Sequence, residues 1–487
     1  MHRSIRSFAV AAFVLNIRTL GNSRRGRKKR GDSVTRLTQT GVVALVTALA
    51  ALSIAPTHVQ ADEGITTRAE WIERIHGHAD VGSGDRAPLN KNFTQVGMLD
   101  LGPFEISDVW AHGDYAYLSG IAGTPVQIVD ISDPSSPSVA AIAASPDSEC
   151  SSQDVKVETL NTRYFKGDLM AVGNEGCTTG LQLWDVSDPT DPQLLSAVSQ
   201  IGEPEFIHNV YIFEQGNRAY VAAVSSFAEV FTTFFYGFTI GDFVIVDVTD
   251  PTNPVTVGDW GAGKDGGIAF GTPFFPPFFP PGSDCTPPPG GEELCRGDDF
   301  PGVFAHDVWV NEQGTLAYVS YWDAGAVILD ISDPANPSAV GTAFEPETLG
   351  SDEGNAHVAV PAGGGNLLLI GDEDFTAGPW GFLRVFDTQD PASSVQVGAY
   401  ATENTLTNPN PAISYSVHNV VVRGSRAYLS WYDDGIRVVD FSNPSEPREI
   451  AAFVPEGPSS FWGVYPHRNL VLGSDWLGGD LYILKMR

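Results

Sequence analysis

Residues Val327–Gly341 read VILDISDPANPSAVG. An apolar run ends in Asp330, the pair Asp333-Pro334 turns the chain, and a second, more mixed stretch follows. A short, β-branched run closed by turn residues predicts a buried strand, a tight turn and an outer strand. The same grammar recurs as VQIVDISDPSSPSVAAI from Val126, LQLWDVSDPTDPQLLSA from Leu181 and FVIVDVTDPTNPVTVGDW from Phe243. It returns as LRVFDTQDPASSVQVGAY from Leu383 and IRVVDFSNPSEPREIAAF from Ile436. Repeated units of this kind bury their faces only against one another.

Two further strands precede each phrase. In the clearest repeat they are His306-Asp307-Val308-Trp309-Val310 and Leu316-Ala317-Tyr318-Val319-Ser320. Four antiparallel strands every roughly 40 to 50 residues are the pattern of a propeller blade. First strands begin near Asp108, Asp154, His208, His306, His357, His418 and Trp462, which makes seven. The last repeat stops at its third strand, Leu481-Tyr482-Ile483-Leu484, while Phe93–Asp100 (FTQVGMLD) has the form of the missing fourth. The expectation is an all-β, seven-bladed β-propeller of four-stranded antiparallel blades over residues 93–487. Its N-terminal strand would complete the last blade and remove the open sheet edge.

The phrase VIVDV at Val244–Val248 and its relatives resemble the LVIVD repeat of exported bacterial β-propellers. That resemblance spans roughly residues 93–487. It implies the propeller fold and an exported location, and it implies no particular reaction. Relatives of that kind also occur in surface proteins with interchangeable C-terminal anchors, whereas Leu484-Lys485-Met486-Arg487 has no such signal.

Residues 1–61 read as a signal peptide with a basic leader. They hold ten Lys and Arg against the single acid Asp32, with a basic block at Arg24–Arg36 and an apolar run at Gly41–Ala55. Val59-Gln60-Ala61 offers small-residue cleavage near Ala61, and the apolar run falls short of the about 20 residues a membrane span needs. The unusual stretch before the block suggests translation from near Val34. Residues 62–92 form an N-terminal extension in which Trp71–Ile75 is a candidate helix.

The chain carries a net charge of −31, and residues 62–487 hold 58 of its 59 acids against 18 bases. So acidic a body argues against nucleic acid or anionic lipid as partner. A protein, a glycan or a cation fits better. Cys150 and Cys177 share one repeat and Cys285 and Cys295 share one loop, so Cys150–Cys177 and Cys285–Cys295 are the expected disulfides. Four cysteines allow three connectivities.

Two insertions interrupt the repeats: the Phe-rich residues 225–241, and residues 261–302 with FFPPFFPP from Phe274. In an up-and-down blade both fall on one face, opposite the uniform Asp-Pro turns. Loop variation on a rigid scaffold marks the working face. That face collects His208, His306, His357 and His418, each opening an inner strand. It also collects the acids Glu175, Asp323, Asp372, Glu373, Asp374, Asp433, Asp434 and Asp475. Imidazoles ringed by carboxylates can hold a divalent metal ion. The other reading is a staple, as in WD-repeat propellers, where such a His bonds within its own blade; Ser320 or Ser430 would be its partner. Trp322, Trp431 and Tyr432 are either core between blades or an aromatic platform for sugar or peptide. The Asp closing each third strand (Asp130, Asp185, Asp247, Asp330, Asp387, Asp440) is expected to cap the turn that follows.

The sequence contains no phosphate loop, G-x-S-x-G elbow, H-E-x-x-H or EF-hand loop. The reading is therefore a binding module acting through its loop-rich, acidic, His-bearing face. The alternative is a metal-dependent oxidoreductase with axial His ligands, similar at fold level to the four-histidine iron site of carotenoid oxygenases, none of whose longer motifs occurs here.

Overall fold

The computed structural model describes residues 88–487 except 103, 122, 148–149, 200–204, 237, 268–303, 323, 344–354, 375–380 and 408–413. Its contacts divide the chain into two units, and one of them, 1–62 with 275–284, lies wholly outside the described residues. Outside them too lie the signal peptide, the Trp71–Ile75 helix, Asp323, the Cys285–Cys295 pair and most of the second insertion.

The described chain is all-β and built of antiparallel sheets. The repeat containing Val327 shows why. Its strands Asp307–Val310, Leu316–Ser320, Ala326–Asp330 and Ser338–Ala343 lie side by side in sequence order. Along Ala326–Asp330 alternate side chains leave opposite faces, and a neighbouring sheet covers each face. Val327 and Leu329 pack with Phe243 and Ile245 of the preceding sheet. Ile328 packs with Ala359, Leu368 and Phe386 of the following one. Double coverage explains an uninterrupted apolar run where a half-buried strand would alternate. The outer strand begins exposed at Ser338, Ala339 and Val340.

All six strand-closing aspartates cap as expected. Asp130, Asp185, Asp247, Asp330, Asp387 and Asp440 each accept the backbone N–H two residues on, at 2.8–3.0 Å. The turn they close is also a joint. In four outer strands a bulged valine (Val96, Val257, Val340, Val397) is followed by glycine. That glycine lies against a turn proline of the next sheet. A Cβ on Gly341 would stand 1.9 Å from the Pro391 carbonyl oxygen, on Gly398 1.9 Å from that of Pro444, and on Gly258 2.1 Å from that of Pro334. Only glycine lets the two backbones approach so closely.

Inner strands touch in sequence order: Ile106–His112, Ser151–Asn161, Glu205–Gln215, Asp307–Val310, Ala356–Ala362, Val420–Arg423 and Phe461–His467. Phe461–His467 in turn touches Ile106–His112, so the circuit closes. Four of the described sheets are four-stranded, one has a fifth strand, and two repeats are joined into a sheet of eight by the pairing of Glu205–Gln215 with Lys166–Cys177. Sheets set around a closed circuit of first strands make a β-propeller. The N-terminal strand Phe93–Asp100 pairs antiparallel with Asp480–Met486, with Leu99 opposite Leu481 and Gln95 opposite Leu484. Pairing begins earlier than the Phe93 boundary, because Leu89–Lys91 adds an edge strand to Arg448–Val454 of the preceding sheet. The chain crosses between the two sheets at Asn92, whose φ is 59° and whose side-chain amide donates to the Ile450 carbonyl.

One insertion is partly visible. After Arg218–Ser225 the chain forms a short helix, α1 (Ala228–Phe231), and a wider turn at Thr232–Tyr236 before strand Phe243–Asp247. The Cys150–Cys177 disulfide forms, joining the chain just ahead of strand Ser151–Asn161 to the end of strand Lys166–Cys177.

Gly341→Ala should destabilise the protein by about 1–3 kcal/mol in urea unfolding. Val340→Ala beside it, at an exposed position, should stay within about 0.5 kcal/mol; equal effects of the two would refute the joint. Phe93 is fully buried while Met98 on the same strand is 44 % exposed. Phe93→Ala should therefore cost about 3–5 kcal/mol and Met98→Ala little, read by the same unfolding curves.

Candidate functional site

Two of the four histidines stand at a backbone irregularity that their repeats share. Where Glu205–Gln215 pairs with Arg218–Ser225 the register skips His208, and where Ala356–Ala362 pairs with Leu367–Asp372 it skips His357. A bulged residue leaves the ladder and its side chain is re-aimed, here toward the axis. His306 and His418 stand just ahead of their strands, and each donates its backbone N–H to the serine carbonyl at the end of strand two (Ser320, Ser430) at 2.9 Å.

The serine side chains do something other than staple an imidazole. Ser320 Oγ accepts the Asp307 N–H at 2.9 Å and donates to the His357 carbonyl of the next sheet at 2.7 Å. Ser430 Oγ likewise accepts from Asn419 N–H and donates to the Trp462 carbonyl at 2.7 Å. Ser474 Oγ repeats the pattern with Gly463 N–H and the Ser107 carbonyl. The expected Ser–imidazole staple is thus corrected. These hydroxyls stitch backbone between sheets and leave the rings to face the axis.

Ring centroids run His208–His306 at 4.1 Å, His306–His357 at 4.2 Å and His357–His418 at 4.2 Å. Two carboxylates join the row. Glu175 is placed by the pairing of Phe206 with Glu175 at the seam of two sheets, and its Oε1 lies 2.8 Å from His208 Nδ1. Glu373 is buried, with Oε2 3.6 Å from His357 Nε2 and Oε1 3.9 Å from His418 Nε2. The Tyr432 hydroxyl donates to Glu373 Oε1. His418 Nδ1 lies 2.7 Å from the Trp462 carbonyl, which can only accept, so Nδ1 carries the proton and Nε2 the lone pair. His306 Nδ1 and both ring nitrogens of His357 are buried without a close hydrogen-bond partner, although the backbone of His357 lies near the His306 ring and that of His418 near the His357 ring.

Burial, reinforced by the neighbouring imidazoles, holds His306 and His357 well below the usual histidine pKa. Burial takes His418 down to about 3. At neutral pH these rings are uncharged, with lone pairs available. For His208 burial also works against the charge, but Glu175 outweighs it and the pKa is raised. Burial pushes Glu373 up to about 7, against the Tyr432 hydrogen bond and His208.

Trp322 and Tyr432 flank the row in equivalent turns. Trp322 packs against His306 at 5.0 Å and Tyr432 against His418 at 4.8 Å. Both have positive φ, 44° and 38°, where a bulky side chain is rare and costs of order 1–3 kcal/mol. Phe304 stacks on Trp322 at 5.2 Å and meets Phe227 of the first insertion at 4.4 Å, so the insertion extends an aromatic wall from the histidines.

The other expected residues go elsewhere. Trp431 is wholly buried and donates to Thr405 and the Tyr415 carbonyl, so it is core and offers no platform. Tyr432 is buried with its hydroxyl engaged, a wall of the site with no open face. Asp372 pairs with Arg384, and Asp434 with Arg437. Asp433 accepts the Ser414 N–H, and Asp475 caps Ser460, Leu477 and Gly478. Asp374 is buried with its backbone N–H on Ser416 Oγ.

Sequence reading missed a second axial layer beneath the imidazoles. Lys156 is buried between Asp154 and Asp108, at 3.1 Å from the latter, and Asn419 donates to Asp108 at 3.0 Å. Burial opposes the Lys156 charge, yet Asp154 and Asp108 outweigh it and the pKa is raised. Below, Trp110 meets Tyr465 at 4.2 Å and Tyr211 meets Trp309 at 5.1 Å. Gln153 and Trp462 also went unread, although they occupy the bulge position that His208 and His357 hold in their repeats. Alignment of first strands by register was the available signal. The space left is small: about 20 Å³ beside Asp108, Lys156 and Asp307, and about 10 Å³ beside Gln153, His208 and His357. Each takes a water or an ion.

LVIVD repeats are found at residues 105–143, 236–260, 304–343 and 416–453. These four stretches are LVIVD repeats, and the described chain around them is built as a β-propeller. No curated protein matches it. Among solved structures it is similar to the Cps50 (Swd1) β-propeller domain of Myceliophteria thermophila, at 12 % identity and a TM-score of 0.48, over 79 % of this chain and 98 % of that one. It is also similar to Raptor of Chaetomium thermophilum, at 10 % identity and a TM-score of 0.49, over 82 % of this chain and 30 % of that one.

Because Glu175 is what sustains the His208 charge, Glu175→Gln should lower the His208 pKa by about a unit or more. The ring-proton NMR titration of the purified variant reads this; an unmoved pKa would place the cause elsewhere.

Proposed function

We propose that the protein is an exported, seven-bladed β-propeller that works as a binding module, and that its His-bearing axial mouth holds a cation. The closed circuit of inner strands and the pairing of Phe93–Asp100 with Asp480–Met486 support seven blades. The basic, then apolar, then small-residue leader supports export.

One observation carries the ligand class. Two carboxylates, Glu175 and Glu373, meet a row of four imidazoles at a single axial end, in a space fit for a water or an ion. The buried Lys156 of the layer beneath is already held by Asp108 and Asp154, and Glu175 is engaged by His208, so it is Glu373 and the neutral rings that the mouth offers to a guest. Such a donor set attracts positive charge. Two of the five non-glycine residues with positive φ among the described residues, Trp322 and Tyr432, stand at this same mouth, and strain of that kind gathers at functional sites.

Chelator-treated protein titrated with magnesium, calcium, manganese, zinc and copper in turn should show saturable thermal stabilisation by at least one of them. Glu373→Gln should reduce the stabilisation at least tenfold in the concentration required. Asp188→Ala, in a turn of the opposite face, should leave it unchanged. Folded protein indifferent to every cation in the series overturns the reading.

A further inference from the structure

Resting on that cation-binding reading, we propose that the mouth is a transition-metal site in which His306, His357 and Glu373 are the ligands. The ligating atoms of these three buried residues all lie within 4.8 Å of one another. Ligands around an ion with bonds of about 2.1 Å stand roughly 3 to 4 Å apart, so modest side-chain movement closes the set.

Three features separate this trio from a packing accident. His357 is 2 % exposed and neither of its ring nitrogens has a close hydrogen-bond partner, and Nδ1 of His306, 8 % exposed, has none either. One nitrogen of each neutral ring carries its proton, near the next backbone carbonyl, and the other carries the lone pair that a metal would take. Buried polar atoms are nearly always paired, and unpaired ones call for an unseen partner. The partner that satisfies lone-pair nitrogens beside a carboxylate is a metal ion or a proton donor, and Glu373 Oε2 stands 3.6 Å from His357 Nε2, beyond a hydrogen bond.

Second, Glu373 is oriented from behind. Tyr432 donates to its Oε1 and leaves Oε2 toward His357. Outer partners of this kind aim the ligands of metal sites. Tyr432 holds this place in a backbone conformation that disfavours a large side chain.

Third, the donors choose the ion. Two imidazole nitrogens and one carboxylate suit zinc, iron(II), nickel or copper. Calcium prefers six to eight oxygens and magnesium an octahedron of oxygens. Each imidazole is supplied by a different sheet, so the ion would also tie neighbouring sheets together across the axis.

The test uses the full chain without a polyhistidine tag, stripped by chelator and dialysed. Zinc is titrated against a chromophoric competitor, calcium is titrated separately, and cobalt(II) is added to read its visible spectrum. The expected result is one zinc or cobalt per chain, with a ligand-field band for cobalt that is absent from the free ion. Affinity should fall at least tenfold in His306→Gln, His357→Gln and Glu373→Gln, and severalfold in Tyr432→Phe, with circular dichroism unchanged. Asp188→Ala should bind as the unsubstituted chain does.

Calcium binding without zinc binding overturns the transition-metal assignment and leaves the cation-binding reading standing. Zinc held equally well by all three ligand variants also overturns it, by placing the ion elsewhere. Absence of binding by every cation removes both. If a His→Gln variant loses its fold, Glu373→Gln and Tyr432→Phe carry the decision.

Discussion

No sheet of this protein can bury itself. Each central strand is apolar on both faces, so its free energy of burial exists only when a neighbour stands on either side. At four outer strands neighbours also approach backbone on backbone, where a glycine receives a turn proline of the next sheet. That contact explains why the repeat phrase has the length it does. Aspartate ends the strand and caps the turn, proline supplies the carbonyl, and the bulged valine brings glycine to meet it. The phrase is at once a local fold and the joint between sheets.

The same dependence governs the ends of the chain. A row of sheets that each need two neighbours has no stable end until the last meets the first. The strand Phe93–Asp100 provides that meeting by pairing with Asp480–Met486. Leu89–Lys91 extends the embrace to the sheet before, so the N-terminal stretch is fastened to two sheets at once. Long-range pairing of this kind has a large loop-closure cost, which the buried Phe93 and its neighbours offset.

The axis follows from the circuit. Inner strands converge there, and side chains that leave the ladder at a bulge have nowhere else to point. In most proteins a polar residue in so confined a place finds a hydrogen-bond partner in its own unit. Here the serines that could have served instead join backbone between sheets; His208 turns to Glu175, His418 to the Trp462 carbonyl, and His306 and His357 face one another and Glu373. Beneath them Lys156 is fully engaged by two aspartates, and aromatic rings fill the rest. The axis is therefore chemically layered, with a donor-rich mouth, a neutralised middle and an apolar floor.

Much of this was legible without coordinates. Asp330 and its counterparts could be assigned as turn caps because a side-chain oxygen two residues ahead of an N–H is a local relation that sequence spacing fixes. The closing strand could be found because its pattern matches a gap at the other end. The histidines could be named because they share a register. What spacing could not supply was which neighbours those rings meet: Glu373 stands beside His357 within one sheet, but Glu175 reaches His208, and Glu373 reaches His418, only across separate sheets. Trp431 shows what register alone could have given: it matches Tyr321, and both are core, whereas Trp322 matches Tyr432 one place on, and both border the mouth. Sequence by itself determined the strands, the turns and the family of repeats, all of which depend on residues a few positions apart. Tertiary structure alone decided which side chains share the axis, because convergence of inner strands sets distances that no single repeat contains.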